Sequence, residues 1–315
     1  MDLLADVLAV AGVRGTLGAR IEAADPWGLT WRGVEDAAFY AVTAGTAWLS
    51  VPGREPLQLL PGDVVLLPTG PDHAISSAPG VWAPDCDPSA AEHARRTGGV
   101  IRFGEGEVRT HLLVAAYAHD PAVSTQMLTL LPEVVHLRGD HGGTCLDDTL
   151  RVLARELAYP QAASSVVIDK LADILLIQLL RVWLAGRPEE TKHSWLAVLD
   201  DPLLTEALTK LHQDPARPWT TELLASELTI SRSTLARRFL AVIGQSPGSY
   251  LTQWRMDLAA RRLRDSDDTL ESIARSVGYT SVYAFSRAFS RARGVPPGRY
   301  RITARADLDG VLARA

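Results

Sequence analysis

Apolar and polar positions follow two rhythms along this 315-residue chain. Up to about residue 130 the apolar residues come in short runs, many of them aromatic or β-branched: 27–31, 39–43, 47–51, 57–60 and 64–68, then 100–103 and 111–117. Gly and Pro punctuate them at Ala44-Gly45, Pro52-Gly53, Pro61-Gly62 and Thr69-Gly70-Pro71. Turn signals at about 8–12-residue spacing predict a sandwich or barrel of short strands rather than βαβ units. Residues 79–99, rich in Pro, Asp, Ser and Gly, read as a long loop.

From about residue 145 the period changes. Leu146, Leu150, Leu153 and Leu157 recur at intervals of three and four, as do Val167, Leu171, Ile174, Leu175, Ile177 and Leu180. This is the apolar stripe of amphipathic helices. Gly186-Arg187-Pro188-Glu189-Glu190 breaks the stripe as a linker. From Asp201 to Tyr300 the pattern gives about seven short helices and no clear strand. The expected fold is multidomain α+β. Residues 1–135 form an antiparallel β sandwich or barrel, 136–190 a helical connector, 201–303 an all-α module and 304–315 a tail. The connector is apolar on more than one face, so it covers a sheet, forms a dimer contact, or does both.

The chain is 47% hydrophobic and 22% charged, which excludes a mostly disordered or collagen-like protein. Its net charge of −5 counts at first against nucleic-acid binding, because duplex phosphate favours basic partners. The distribution reverses that. Residues 1–200 hold 15 basic and 25 acidic side chains, whereas 201–315 hold 17 and 12. A basic back joined to an acidic front marks the all-α module as a polyanion-binding candidate. The two cysteines, Cys86 and Cys145, require no disulfide framework and fit a reducing cytoplasm. The N-terminus is acidic, so no signal peptide is expected. The apolar run at 171–184 contains Asp173 and Arg181, so no membrane role is expected either.

Residues 219–243 read as two helices joined by a turn. Thr220 is a fitting N-cap for the first, with Ala225 and Leu228 facing inward. Thr229-Ile230-Ser231 makes the turn, and Ser231 caps the second helix. Leu235 and Phe239, four apart, pack it back onto the first. That leaves Arg232, Ser233, Thr234, Ala236, Arg237 and Arg238 near or on the outer surface. A thin helix with an apolar back and an Arg-rich front suits a major groove, although one such face alone is more often merely solvated. The pattern then repeats: a Thr269 cap, an inward Ala274, a turn from Val277 to Ser281, and a helix with Phe285 and Phe289 inward. Gly278 suits a left-handed position in that turn, and Arg287 takes the place of Arg237. Between the units, 250–263 has Trp254, Leu258, Ala259 and Leu263 apolar and no Gly or Pro, as a rigid spacer helix would.

These residues carry a family resemblance. The stretches 231–239 (Ser-Arg-Ser-Thr-Leu-Ala-Arg-Arg-Phe), Gly244-Gln245-Ser246-Pro247, Trp254-Arg255-Met256, 273–279, 284–289 and 294–301 stand at the spacing of one known domain. Residues 201–303 closely resemble the C-terminal DNA-binding domain of the AraC/XylS family of bacterial transcription regulators. The resemblance implies that Ser233, Ala236 and Arg237 face bases in the first reading helix, and Tyr283, Ser286 and Arg287 in the second. Arg232, Arg238 and Arg291 are expected at phosphates, with Thr234 and Ser281 completing the DNA-binding set. Arg293 stands where the family usually has an aromatic residue, so a loosened last helix is expected.

The front half resembles a sensor. Pro61-Gly62-Asp63-Val64-Val65-Leu66-Leu67-Pro68, followed by Gly70 and His73, is similar to the second half of a cupin strand-turn-strand motif. With a helix expected at 3–10, Pro26-Trp27 and Ala47-Trp48-Leu49, residues 1–185 look like the cupin-type sensor of one AraC subgroup. His73 is the one residue at a cupin ligand place, and a catalytic metal needs three convergent ligands, so no metal, cofactor or catalytic residue is expected. His136 and His141 are expected in loops. Trp27, Trp31, Trp48 and Trp82 are core residues or the lining of a small-ligand cavity, with Trp31, Trp48 and His73 as the candidate ligand-binding set. Cys86 sits between Asp85 and Asp87, whose charges disfavour a reactive thiolate.

The expected function is an effector-controlled, sequence-specific DNA-binding transcription regulator. Its expected partners are double-stranded DNA, a small-molecule effector, a second copy of the chain, and RNA polymerase as a candidate. The alternative is a cupin metalloenzyme fused to a DNA-binding tail.

Overall fold

Short strands in the front of the chain and helices in its back are what the structure shows. This computed structural model describes residues 13–33, 36–87, 100–118, 131–139, 145–186, 198 and 201–313. The helix expected at 3–10, His119, His141, residues 88–99 of the loop and 187–190 of the linker lie outside the described residues. The described residues group into two compact units: 13–118 with 131–186, and 198 with 201–313.

In the first unit, strands β1 (Arg14–Ala23), β3 (Ala37–Ala44), β6 (Val64–Leu67), β8 (Val100–Phe103), β9 (Thr110–Ala118) and β10 (Val135–Leu137) form a large sheet. Its order is β10-β6-β3-β9-β1-β8. Strands β2 (Gly28–Trp31), β4 (Ala47–Ser50), β5 (Leu57–Leu59) and β7 (His73–Ser76) form a second sheet, in the order β2-β7-β4-β5. Pairing is antiparallel except between β1 and β8. The core lies between the sheets, where Ile21, Tyr40, Val42, Val65 and Leu112 meet Leu29, Leu49, Leu59 and Ile75.

Helices α1 (Cys145–Ala158) and α2 (Ser164–Ala185) pack on this unit. The Tyr117 hydroxyl donates to the Ala172 carbonyl at 2.9 Å, and the Gly15 N–H donates to Asp173 Oδ1 at 2.8 Å. A Cβ at position 15 would overlap the Ala172 side chain, so α2 rests directly on β1. Ala37–Val42 and all of β6 are buried on both faces. Strands covered on both faces read as continuous apolar runs, which is why these two were plain in the sequence.

The connector expected at 136–190 is therefore part of the first unit. Residues 136 and 137 pair with β6 inside the sheet, so His136 is a strand residue rather than a loop residue. Its Nε2 lies 3.1 Å from Asp63 Oδ2, and Asp63 Oδ1 accepts the Gly139 N–H at 2.7 Å. Asp63 also accepts the Leu60 N–H, closing the Pro61-Gly62 turn, where Gly62 has φ +93°.

The second unit contains seven helices among the described residues: α3 (Pro202–Gln213), α4 (Thr221–Glu227), α5 (Arg232–Ile243), α6 (Pro247–Asp265), α7 (Leu270–Ser276), α8 (Val282–Arg293) and α9 (Pro297–Ala313). The tail expected from 304 is instead a continuation of α9. No Pro follows 297, and Arg305 holds that stretch by bonding Asp267 at 2.8 Å and the Ser266 carbonyl. Among the described residues no helix is long and apolar enough to cross a membrane.

Candidate nucleic-acid interface

The two helix pairs α4–α5 and α7–α8 are built by the same local chemistry. Each of their four N-termini is capped by a hydroxyl: Thr220 accepts from Leu223, Ser231 from Thr234 and Thr269 from Ser272, all at 3.1 Å, and Ser281 accepts from Ala284 at 3.4 Å. Each turn closes with a backbone bond back to the inward alanine, Ile230 N to Ala225 O and Tyr279 N to Ala274 O. Each turn also needs one left-handed residue: Thr229 (φ 55°) in the first and Gly278 (φ 81°) in the second. Leu235 and Phe239 in α5, and Phe285 and Phe289 in α8, are completely buried.

That packing fixes what remains outside. On α5, Ser233 and Arg237 are exposed and Ala236 is half-buried. On α8, Tyr283 and Arg287 are exposed and Ser286 is half-buried. Arg237, Arg287 and Arg291 have no ion-pair partner among the described residues, whereas Arg232 pairs with Glu222 at 2.7 Å and Arg238 lies 3.9 Å from Asp201. The Glu222 carboxyl is held below its usual range, first by its own backbone N–H and then by Arg232 and Thr220. Thr234 is half-buried, with its hydroxyl 2.8 Å from that of Ser231. Ser281 has its hydroxyl engaged as a cap.

Helix α6 joins the two pairs. Trp254, Ala259 and Leu263 are buried along it, and Leu258 is half-buried. Arg255 of α6 donates to the Pro215 carbonyl at 2.7 Å and the Arg217 carbonyl at 2.9 Å, and burial lowers its pKa. A Cβ at Gly278 would come within 2.8 Å of both the Ala216 carbonyl oxygen and Arg255 Nη2. So the segment leading into α4, the middle of α6 and the turn before α8 meet at one joint. The loosened end expected from Arg293 is not found. Its side chain is only 5% exposed and forms an ion pair with Asp257 of α6, so a charge pair replaces the aromatic contact.

Sequence reasoning also missed His212, which is buried in α3. Its ring stacks on Trp254 at 3.7 Å between centroids, and its Nε2 lies 2.8 Å from the Tyr250 hydroxyl. Burial pushes its pKa down to about 4.

In the first unit, Trp31 and His73 come together and Trp48 does not join them. Trp31 stacks on His73 at 5.2 Å, while Trp48 pairs across from Ser76 on the opposite face of its strand. His73 is buried with both ring nitrogens engaged: Nε2 is 2.7 Å from the Tyr40 hydroxyl and Nδ1 is 2.6 Å from the Pro71 carbonyl. Burial lowers the His73 pKa and raises that of Tyr40. Tyr40 gave no sequence signal beyond its place in an apolar run. Trp27 is core, whereas Trp82 is 80% exposed. Cys86 is half-buried, and burial followed by the Asp87 charge raises its pKa; Cys145 is exposed at the start of α1. Among the described residues no group of three or more His, Cys, Asp or Glu is placed to hold a metal ion.

Comparison with known proteins agrees with this division. A cupin family model matches residues 2–185, and a helix-turn-helix domain model matches residues 224–302. A putative AraC-like transcription regulator from Streptomyces lividans is 40% identical over 304 residues, 96% of this chain and 98% of the relative. A second, from Streptomyces antibioticus, is 38% identical over 96% of this chain and 98% of its own length. Among solved structures, the DNA-binding domain of AdpA in complex with a target DNA is 31% identical, covering 34% of this chain and 95% of that one, with a TM-score of 0.32. Two matched helix pairs behind a cupin domain, with relatives similar over nearly their whole length, place the chain in the AraC/XylS family of DNA-binding transcription regulators.

Proposed function

We propose that Arg237 and Arg287 specify bases, that Arg232, Arg238 and Arg291 contact phosphates, and that a small-molecule effector in the first unit controls the regulator. The observation that carries the DNA reading is the matched exposure of Arg237 and Arg287 on two helices of the same build, without carboxylate partners among the described residues. Arginine forks suit guanine edges, and backbone contacts supply position rather than sequence. Arg232 and Arg238 sit beside carboxylates at exposed or half-exposed sites, where an ion pair is weak enough to be exchanged for phosphate.

Supporting the effector reading, Trp31, Tyr40 and His73 cluster their rings beside the core of the first unit, with the Tyr40 hydroxyl bonded to the His73 ring. The effector would act by favouring one arrangement of the protein over another. A homodimer would use the outer side of α2, where Val166, Val167 and Ile174 are exposed, and RNA polymerase is the further partner. Selection from a randomised duplex pool tests the base roles. Arg287→Ala should cost about 1–3 kcal/mol at the selected site and relax one base position. A loss uniform over all sequences would make Arg287 a phosphate contact instead. A thermal-shift screen of small molecules tests the sensor. A compound that raises the melting temperature of the natural chain and changes its DNA affinity supports it, and an empty screen favours constitutive DNA binding.

A further inference from the structure

We propose that Tyr283 is a positioning residue for Arg287, and that together they make α8 read a guanine more strictly than α5 does. The inference rests on the reading of α8 as a base-contacting helix. Tyr283 and Arg287 are four residues apart, so both side chains stand on one ridge of the helix. Tyr283 is 72% exposed, and the Arg287 guanidinium carbon lies 5.8 Å from the centre of its ring. Helix α8 carries no acidic residue, and no carboxylate among the described residues pairs with Arg287. The ring is therefore the neighbour that draws the cation, through the negative potential of its face.

The consequence is a partly ordered fork. A free arginine side chain loses rotamer freedom when it docks, and that loss weakens binding. A ring that already holds the guanidinium reduces the loss and limits the directions the fork can take. Guanine is the base that offers two acceptors, O6 and N7, to such a fork in the major groove. In α5 the residue four before Arg237 is Ser233, which has no ring to hold the guanidinium.

The test uses the full chain and a randomised duplex pool, with sequencing of the bound fraction. The natural chain should enrich a site containing one guanine whose enrichment is lost in Arg287→Ala. Tyr283→Phe should keep that guanine preference, because the ring face remains. Tyr283→Ala should lower the preference for guanine over the other bases at that position by about two- to fivefold. The proposal is overturned if Tyr283→Ala leaves the preference intact, if it weakens all duplexes equally, or if Tyr283→Phe loses as much as Tyr283→Ala. Failure of the natural chain to enrich any sequence would instead overturn the underlying reading of α8.

Discussion

The α4–α5 pair and the α7–α8 pair match at their hydroxyl caps, inward alanines, buried apolar pairs four residues apart and glycine ends, yet they are secured differently. The first pair places Thr229, a β-branched residue, in a left-handed turn, ends its second helix on half-buried Ile243, and leans on α6 beside a buried histidine. The second pair uses Gly278 in that turn and locks the end of α8 to α6 by the Arg293–Asp257 ion pair. What the two pairs share is the geometry of the backbone and the inward side chains; the fastening is free to vary.

The largest effect that would break this comparison is expected at the ionic anchor. Asp257→Ala leaves Arg293 buried without its carboxylate and should cost about 3–5 kcal/mol in denaturant unfolding. Replacing both residues by leucine should recover most of that stability, because a well-packed apolar pair of similar volume can stand in for a buried ion pair. If Asp257→Ala unfolds like the natural chain, the ion pair is not the fastening.

Next comes the turn. Gly278→Ala should destabilise by about 2–3 kcal/mol, since its Cβ meets the Ala216 carbonyl oxygen and a left-handed φ is costly for alanine. A melting temperature unchanged by Gly278→Ala would show that the joint yields.

Acid should act on the first pair more than the second, because no histidine lies beyond His212. The folded pKa of His212, about 4, lies below its ordinary 6.5, so the folded state holds the neutral ring. Its stability is full above pH 6.5 and is lost as pH falls toward 4, by about 2 kcal/mol at pH 5. His212→Phe should remove that part of the loss between pH 7.5 and pH 5, and an undiminished loss would assign the sensitivity elsewhere. The smallest effect is expected at Thr229→Gly, which relieves the left-handed threonine but frees the unfolded chain. A gain of up to about 1 kcal/mol should appear as a raised denaturant midpoint. A loss would mean that the Thr229 side chain holds the turn.

What was legible in the sequence was what repeats locally. Thr220, Ser231, Leu235 and Phe239 declared themselves by spacing alone, and the second set confirmed the first. Strand β1 did not, because two glycines and two arginines hide an inward alternation of Ala19, Ile21 and Ala23. The pairs Tyr40–His73, His212–Tyr250 and Asp257–Arg293 did not either. Their partners lie 33, 38 and 36 residues apart, beyond any helical or strand period. The continuation of α9 past 304 depends on Arg305 reaching back to the 266–267 loop, again a contact that no local pattern encodes.

The joint at Ala216, Arg255 and Gly278 has a consequence for the operator rather than for the protein. B-DNA completes a turn in about 10–10.5 base pairs. One base pair inserted between the two sites would therefore swing the second by about 35° around the duplex axis. Helix pairs that meet through backbone atoms and a half-buried guanidinium would have to strain that joint to follow the rotation. With both pairs on one duplex, as proposed above, the regulator would measure helical phase as well as sequence. Operators with correct bases at the wrong spacing should be bound through one helix pair at a time.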